Sequence, residues 1–157
     1  MKKIMLFLCF YPFLLSIFLI SGCTKNKEVD PLETTQIPQN LQSLYGCPDS
    51  RYSLNINLVD TFTLIRDQDT FDKLVTGDCK PKIDFNSYNL LIGRKSLRSG
   101  NDTIHYEIEK TSGGKNLNVK IVFVQNITTV APTLTYDVLL PKEFKLEDIK
   151  VETAITY

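Results

Sequence analysis

Hydrophobic positions divide the chain into three stretches: an unbroken apolar run near the N-terminus, a polar stretch interrupted by prolines, and strand-like alternation from Tyr52 onward. Residues 54–65 are rich in leucine, isoleucine, valine and threonine with partial alternation, which predicts extended backbone up to the charged residues 66–69. A helix is predicted next. Asp67 or Asp69 can accept from the exposed amides at its start, Phe71, Leu74 and Val75 recur at helical spacing, and Gly77 suits its end. Beyond a loop with Cys79 and Pro81, strands are predicted at 89–93, 103–110, 116–125, 134–140 and 150–156. The clearest is 116–125. There Leu117, Val119, Ile121 and Phe123 share one face and Asn118 and Lys120 the other, until Val122 and Val124 make both faces apolar, as in a central strand. Ser112, Gly113, Gly114 and Lys115 predict a hairpin, and Ser99, Gly100, Asn101 and Asp102 predict another one connection earlier. The expectation is an α+β fold: a mostly antiparallel twisted sheet of five to six strands with one early helix packed on one face. The same pattern also fits a closed barrel or a two-layer sandwich.

The first stretch has the three parts of a secretory signal: basic Lys2 and Lys3, an apolar run from residue 4 to residue 20, and small residues before a cut. A permanent spanning helix is the competing reading, but the run is short for one and contains Pro12. Its end, Ile20, Ser21, Gly22, Cys23, resembles the lipobox of bacterial lipoproteins. That resemblance implies diacylglyceryl attachment to Cys23, cleavage before it, and acyl chains such as palmitate that hold the mature N-terminus on a membrane. The expected organisation is a lipoprotein signal peptide at 1–22, a lipidated N-terminus and flexible tether at 23–45, and a single α+β domain at 46–157. Thr24 stands where some proteobacterial lipoproteins carry an inner-membrane retention aspartate, so the resemblance permits the outer membrane. Glu28 and Asp30 are similar in kind to the acidic tether signals of surface-exported Bacteroidetes lipoproteins.

Charge narrows the partners. The full chain has eighteen basic and eighteen acidic residues, and loss of Lys2 and Lys3 leaves it slightly acidic. Such a protein has no broad positive field for phosphate backbones, so nucleic acid is not an expected partner. Of the four cysteines, Cys9 lies in the signal and Cys23 at the lipid site. Cys47 and Cys79 remain, and in an oxidising envelope a disulfide between them is expected; two unpaired buried cysteines are the alternative. Their spacing, with no histidine near, does not match a zinc site, and neither metal nor cofactor is expected.

Candidate chemistry is sparse. His105, the single histidine, would have to serve as base in any Ser-His-Asp or Cys-His site, yet no glycine-flanked serine elbow accompanies it. Glu107 with Glu109, and Glu147 with Asp148, are the acidic pairs; two carboxylates on one strand face indicate a solvated edge more than a glycosidase pair. Gly113 and Gly114 precede no lysine-threonine pair and so form no phosphate loop. Arg94, Lys95 and Arg98 form the one basic cluster, read as a loop that could hold an acidic partner. Tyr88, Tyr106 and Tyr136 could serve a glycan on a concave face. Asp102, Thr103 and Ile104 resemble the short O-glycosylation acceptor of Bacteroidetes envelope proteins.

One longer arrangement carries a further resemblance. Thr63, Leu64, Ile65 and Arg66 lead into a helix with Phe71 and Leu74, followed by Ile83, Asp84, Phe85 and then Leu90, Leu91, Ile92, Gly93. Over residues 62–142 this is similar to the C-terminal domain of PrcB-type protease-complex subunits and to small Bacteroidetes lipoproteins built alike. The resemblance implies an α+β domain that binds or stabilises another envelope protein, such as a protease. Where that family has a glycine-rich stretch after the Gly93 strand, this chain has Arg94, Lys95, Ser96, Leu97 and Arg98. The functional expectation is therefore a nonenzymatic, membrane-anchored protein-binding lipoprotein. A small-ligand or glycan-binding lipoprotein is the alternative, and a hydrolase built on His105 stands third.

Overall fold

A computed structural model describes residues 33–34, 39–58, 60–111 and 113–157. In chain order the elements are β1 (Glu33–Thr34), α1 (Leu41–Tyr45), α2 (Ser50–Ser53), β2 (Leu54–Ile56), β3 (Phe62–Ile65), α3 (Gln68–Leu74), β4 (Val75–Gly77), β5 (Tyr88–Ser96), β6 (Asn101–Lys110), β7 (Leu117–Gln125), β8 (Thr133–Pro141), a 3₁₀ turn (Leu146–Asp148) and β9 (Ile149–Thr156). The strands form a larger sheet in the order β1-β6-β7-β9, a smaller one in the order β3-β5-β8, and a ribbon of β2 with β4. Every pairing is antiparallel except β7 with β9. The α+β class and the mainly antiparallel pairing read from the sequence are those observed, with the strands shared between two sheets and a two-stranded ribbon.

Burial explains the layering. Leu91, Leu134, Tyr136, Val138 and Leu140 of the smaller sheet meet Leu117, Val119, Ile121 and Phe123 of the larger one, and this inner core closes with Phe144 and Ile149. The other face of the smaller sheet presents Leu90, Ile92 and Leu139 to Leu41, Cys47, Leu54, Ile56, Phe71, Val75 and Ile83, contributed by the helices, the ribbon and their loops. β8 is thus covered on both faces, and residues 134–140 are all buried. A strand so placed reads as a nearly continuous apolar run rather than an alternation. β7 lies inside its sheet as expected, between β6 and β9, with its inner face buried and Val122 and Val124 half-buried on the other.

Several local expectations change. The extended run predicted at 54–65 is two strands: Leu58 N–H turns back to the Ile56 carbonyl, Asp60 takes a left-handed conformation with φ 49°, and β3 then joins a different sheet from β2. Asp67 does cap α3, its carboxylate accepting from Thr70 N–H at 2.7 Å, and Phe71 is the buried residue of that helix. Leu74 is exposed, and Gly77 does not end the helix. Gly77 lies in β4 with φ 120°, where a Cβ would collide with the Ser53 carbonyl. Residues 99–102 are not a hairpin, because β5 and β6 belong to different sheets; Gly100 there packs against Thr128 and Asn126 while the chain crosses over. The folded unit also starts before residue 46, inside the stretch expected to be tether. Leu139 N–H donates to the Gln39 carbonyl at 2.8 Å, and Leu41 is fully buried.

Candidate functional site

Cys23 and its lipobox lie outside the described residues, among which no helix is long and apolar enough to cross a membrane. Cys47 and Cys79 are joined in a disulfide with Cα atoms 5.6 Å apart, tying the loop after α1 to the loop after β4 across 32 residues. Cys47 is buried in the outer core, so the bridge fastens the helical layer to itself beside Phe71 and Ile83.

The predicted basic loop is not one. Arg94 and Lys95 belong to β5, whose alternation sends them to opposite faces, while Arg98 alone is in the following loop. Lys95 pairs with Asp60 at 3.4 Å. Arg94 stays half-buried on the helical side, opposite Thr135 of β8. The three cations therefore form no common patch, because a strand rather than a loop carries two of them.

His105 is exposed on the outer face of β6, opposite Val122, and donates to or accepts from no side chain among the described residues. Among the described residues, no side chain is hydrogen-bonded to it as an orienting acid or a nucleophile would be. Glu107 and Glu109 share that face with Asn118, Lys120, Lys150 and Glu152 in a shallow depression of about 360 Å³. The charges there compensate one another, with Lys120 to Glu107 at 2.9 Å and Lys150 to Glu152 at 2.7 Å. The Glu107 hydrogen bond raises the Lys120 pKa, so the lysine stays charged. At the 3₁₀ turn, Asp148 accepts from Lys145 N–H at 3.2 Å and Glu147 lies 3.9 Å from the Lys145 ammonium. Among the described residues no group of three or more His, Cys, Asp or Glu could hold a metal ion. The three tyrosines are dispersed: Tyr136 is in the inner core, Tyr88 packs against the outer core, and Tyr106 reaches the edge of β8. Asp102 and Thr103 lie near the start of β6, where Asp102 accepts from Asn126 at 2.7 Å.

A buried polar cluster was not visible in the sequence. Asp137 of β8 is completely enclosed; its Oδ2 accepts from Leu41 N–H at the start of α1 at 2.7 Å, and its Oδ1 has no partner among the described residues. Burial raises its pKa, although the Ser50 hydroxyl and Leu41 N–H beside it act the other way. Tyr106 accepts from Asp137 N–H at 3.2 Å, and its own pKa is driven upward, first by burial and then by the Asp137 carboxyl. Arg51 of α2 holds Asp49 through two bonds, at 2.7 and 2.8 Å, and reaches the Asn101 side chain at 3.0 Å and the Asp102 carbonyl at 2.7 Å. This pair lowers the Asp49 pKa chiefly through the Arg51 hydrogen bond. Together these contacts seal the β8 edge against β6 and α1.

The opposite side of the sandwich is open. β9 pairs with β7 along residues 149–156, and among the described residues no strand lies on its other side. Its inner-face positions Thr153 and Ile155 are exposed, in contrast to Ile149 at its start. Tyr157 follows at 87% exposure, near the loop that carries Ile127 at 98%. The β7–β9 register brings these apolar side chains to the same end of the larger sheet. Comparison with protein-family models, with characterised proteins and with solved structures finds no match.

Proposed function

We propose that the chain is a lipid-anchored envelope protein, held on the outer membrane through acylated Cys23, whose domain binds another protein without catalysing a reaction. The observation that carries this reading is the β9 edge, eight residues long and paired on one side alone among the described residues. Such an edge has a row of N–H and C=O groups in position to take an added strand, and the alternate side chains beside it set specificity. Ile155 and Tyr157 add apolar surface at the end of that row. The paired charges of Lys150 and Glu152 on the outer face keep the edge soluble until a partner arrives. An envelope protein such as a protease is the partner class that the PrcB-type resemblance suggests.

A photo-crosslinking residue in place of Ile155, compared with one in place of His105, tests this in intact membranes. A discrete protein adduct is expected from position 155 alone, together with slowed hydrogen exchange of the β9 amides. The Cys23→Ala chain is expected to leave the membrane fraction and lose the adduct while remaining folded. Equal β9 exchange in membranes and in purified protein would refute strand addition, and membrane retention of processed Cys23→Ala protein would refute lipid anchoring.

A further inference from the structure

On the helical side of β5, Arg94 continues the row of Leu90 and Ile92 but emerges beyond the outer core. Its Nη2 donates to the Thr133 carbonyl over a long 3.4 Å, and its Nε is enclosed without an acceptor among the described residues. Beside it the β2–β4 ribbon turns Asn55 and Thr76 outward as a cross-strand pair, with Asn57 just beyond. Lys73 and Leu74 close the other wall at the end of α3. These six residues line a cleft of about 390 Å³ that contains no carboxylate.

The charge is uncompensated. Among the described residues, neither Arg94 nor Lys73 has an acidic side chain within 4.0 Å. Asp60 is occupied by Lys95 and by Ser96 N–H, and Asp72 by Lys82 and the Gln68 amide. A half-buried guanidinium with an unmet N–H is costly, and the cost falls when an anion enters. We propose that this cleft binds a small ligand through one oxyanion, a carboxylate or a phosphate, with Arg94 and Lys73 supplying the countercharge. The planar fork of Arg94 suits two oxygens of such a group, and Lys73 adds a point charge. The Asn55 and Asn57 amides and the Thr76 hydroxyl supply neutral donors around it, the hydroxyl making a 3.4 Å contact to the Asn55 carbonyl. Leu74, 42% exposed, offers apolar contact to the rest of the ligand, in a volume typical of small-molecule sites. The site uses none of the residues of the β9 edge, so the two proposals stand or fall separately.

The test is an NMR titration of the purified full chain in neutral detergent with sodium acetate and, separately, sodium phosphate, at ionic strength held constant with chloride. Saturable shifts are expected at Asn55, Thr76 and the Arg94 side chain. Saturation by acetate alone assigns a carboxylate ligand, by phosphate alone a phosphate ligand, and by both the shared oxyanion chemistry. Arg94→Gln should abolish the response and Lys73→Gln should weaken it about threefold or more, the worth of one partly exposed charge. Lys95→Gln, on the opposite face of β5, should leave it unchanged. Should Arg94→Gln not fold, Lys73→Gln against Lys95→Gln decides. Unsaturable shifts with both anions, or equal affinities in Lys73→Gln and the parent chain, would overturn the proposal.

Discussion

Asp137 is an apolar-layer position occupied by a carboxyl group. It stands on a strand buried on both faces and uses one oxygen to receive the first amide of α1. Its ionisation is disfavoured by burial, so its pKa in the fold lies above its ordinary value. The sign follows from linkage. A carboxyl with a raised folded-state pKa contributes stability that is complete below the unfolded pKa and is lost as pH rises through the folded one. Asp67 and Asp49 act oppositely: Thr70 N–H and Arg51 respectively lower their pKa values, so their contributions are present above the unfolded pKa and are lost as pH falls through the folded one. Asp137→Asn keeps an oxygen for Leu41 N–H and removes the titration. Urea unfolding between about pH 4 and pH 8, a range that spans a raised carboxyl pKa, should show the variant gaining on the parent as pH rises. A difference that does not change with pH would exclude this role. Nothing in the local sequence Thr135, Tyr136, Asp137, Val138 reveals it, because the partner amide is 96 residues away.

Among the elements, those defined by local chemistry were legible and those defined by pairing were not. The Asp67 cap, Gly113 and Gly114 at the β6–β7 turn, and the alternation of β7 depend on neighbours within a few residues. The break between β2 and β3 depends on β4 and β5 claiming different halves of one extended run. β5 shows the same dependence at Gly93, which lies opposite Tyr136, where a Cβ would meet the Tyr136 ring and the Thr61 carbonyl. The ring fills the space that glycine leaves, stacks edge-on to Phe123 at 5.9 Å, and has its hydroxyl pKa pushed up to about 12, mainly by burial. Gly93→Ala should therefore displace that ring and destabilise the chain by about 1–3 kcal/mol in denaturant unfolding, the usual cost of overpacking. Wild-type stability with an unchanged near-ultraviolet tyrosine signal would contradict this packing.

For the whole molecule, three layers share one central sheet, and the outer layer of short helices and ribbon has the disulfide as its covalent tie. Closing a loop of 32 residues should be worth about 3–4 kcal/mol in the chain-entropy model. Reduction, or Cys47→Ser with Cys79→Ser, should lower the urea midpoint accordingly; an unchanged midpoint would show that the core alone carries the layer. By itself the sequence determined the α+β class, the positions of the longer strands and one helix cap. These follow from periodicity and backbone propensity, which act over short range. Tertiary structure alone decided that the strands divide between two sheets and a ribbon, that residues 39–45 belong to the fold, that β9 has a strand on one side only among the described residues, and that Arg94 faces Lys73 rather than Lys95 and Arg98. Each of those outcomes is set by which distant segment covers a given face or edge, and a run of side chains carries the capacity to be buried without carrying the identity of what buries it.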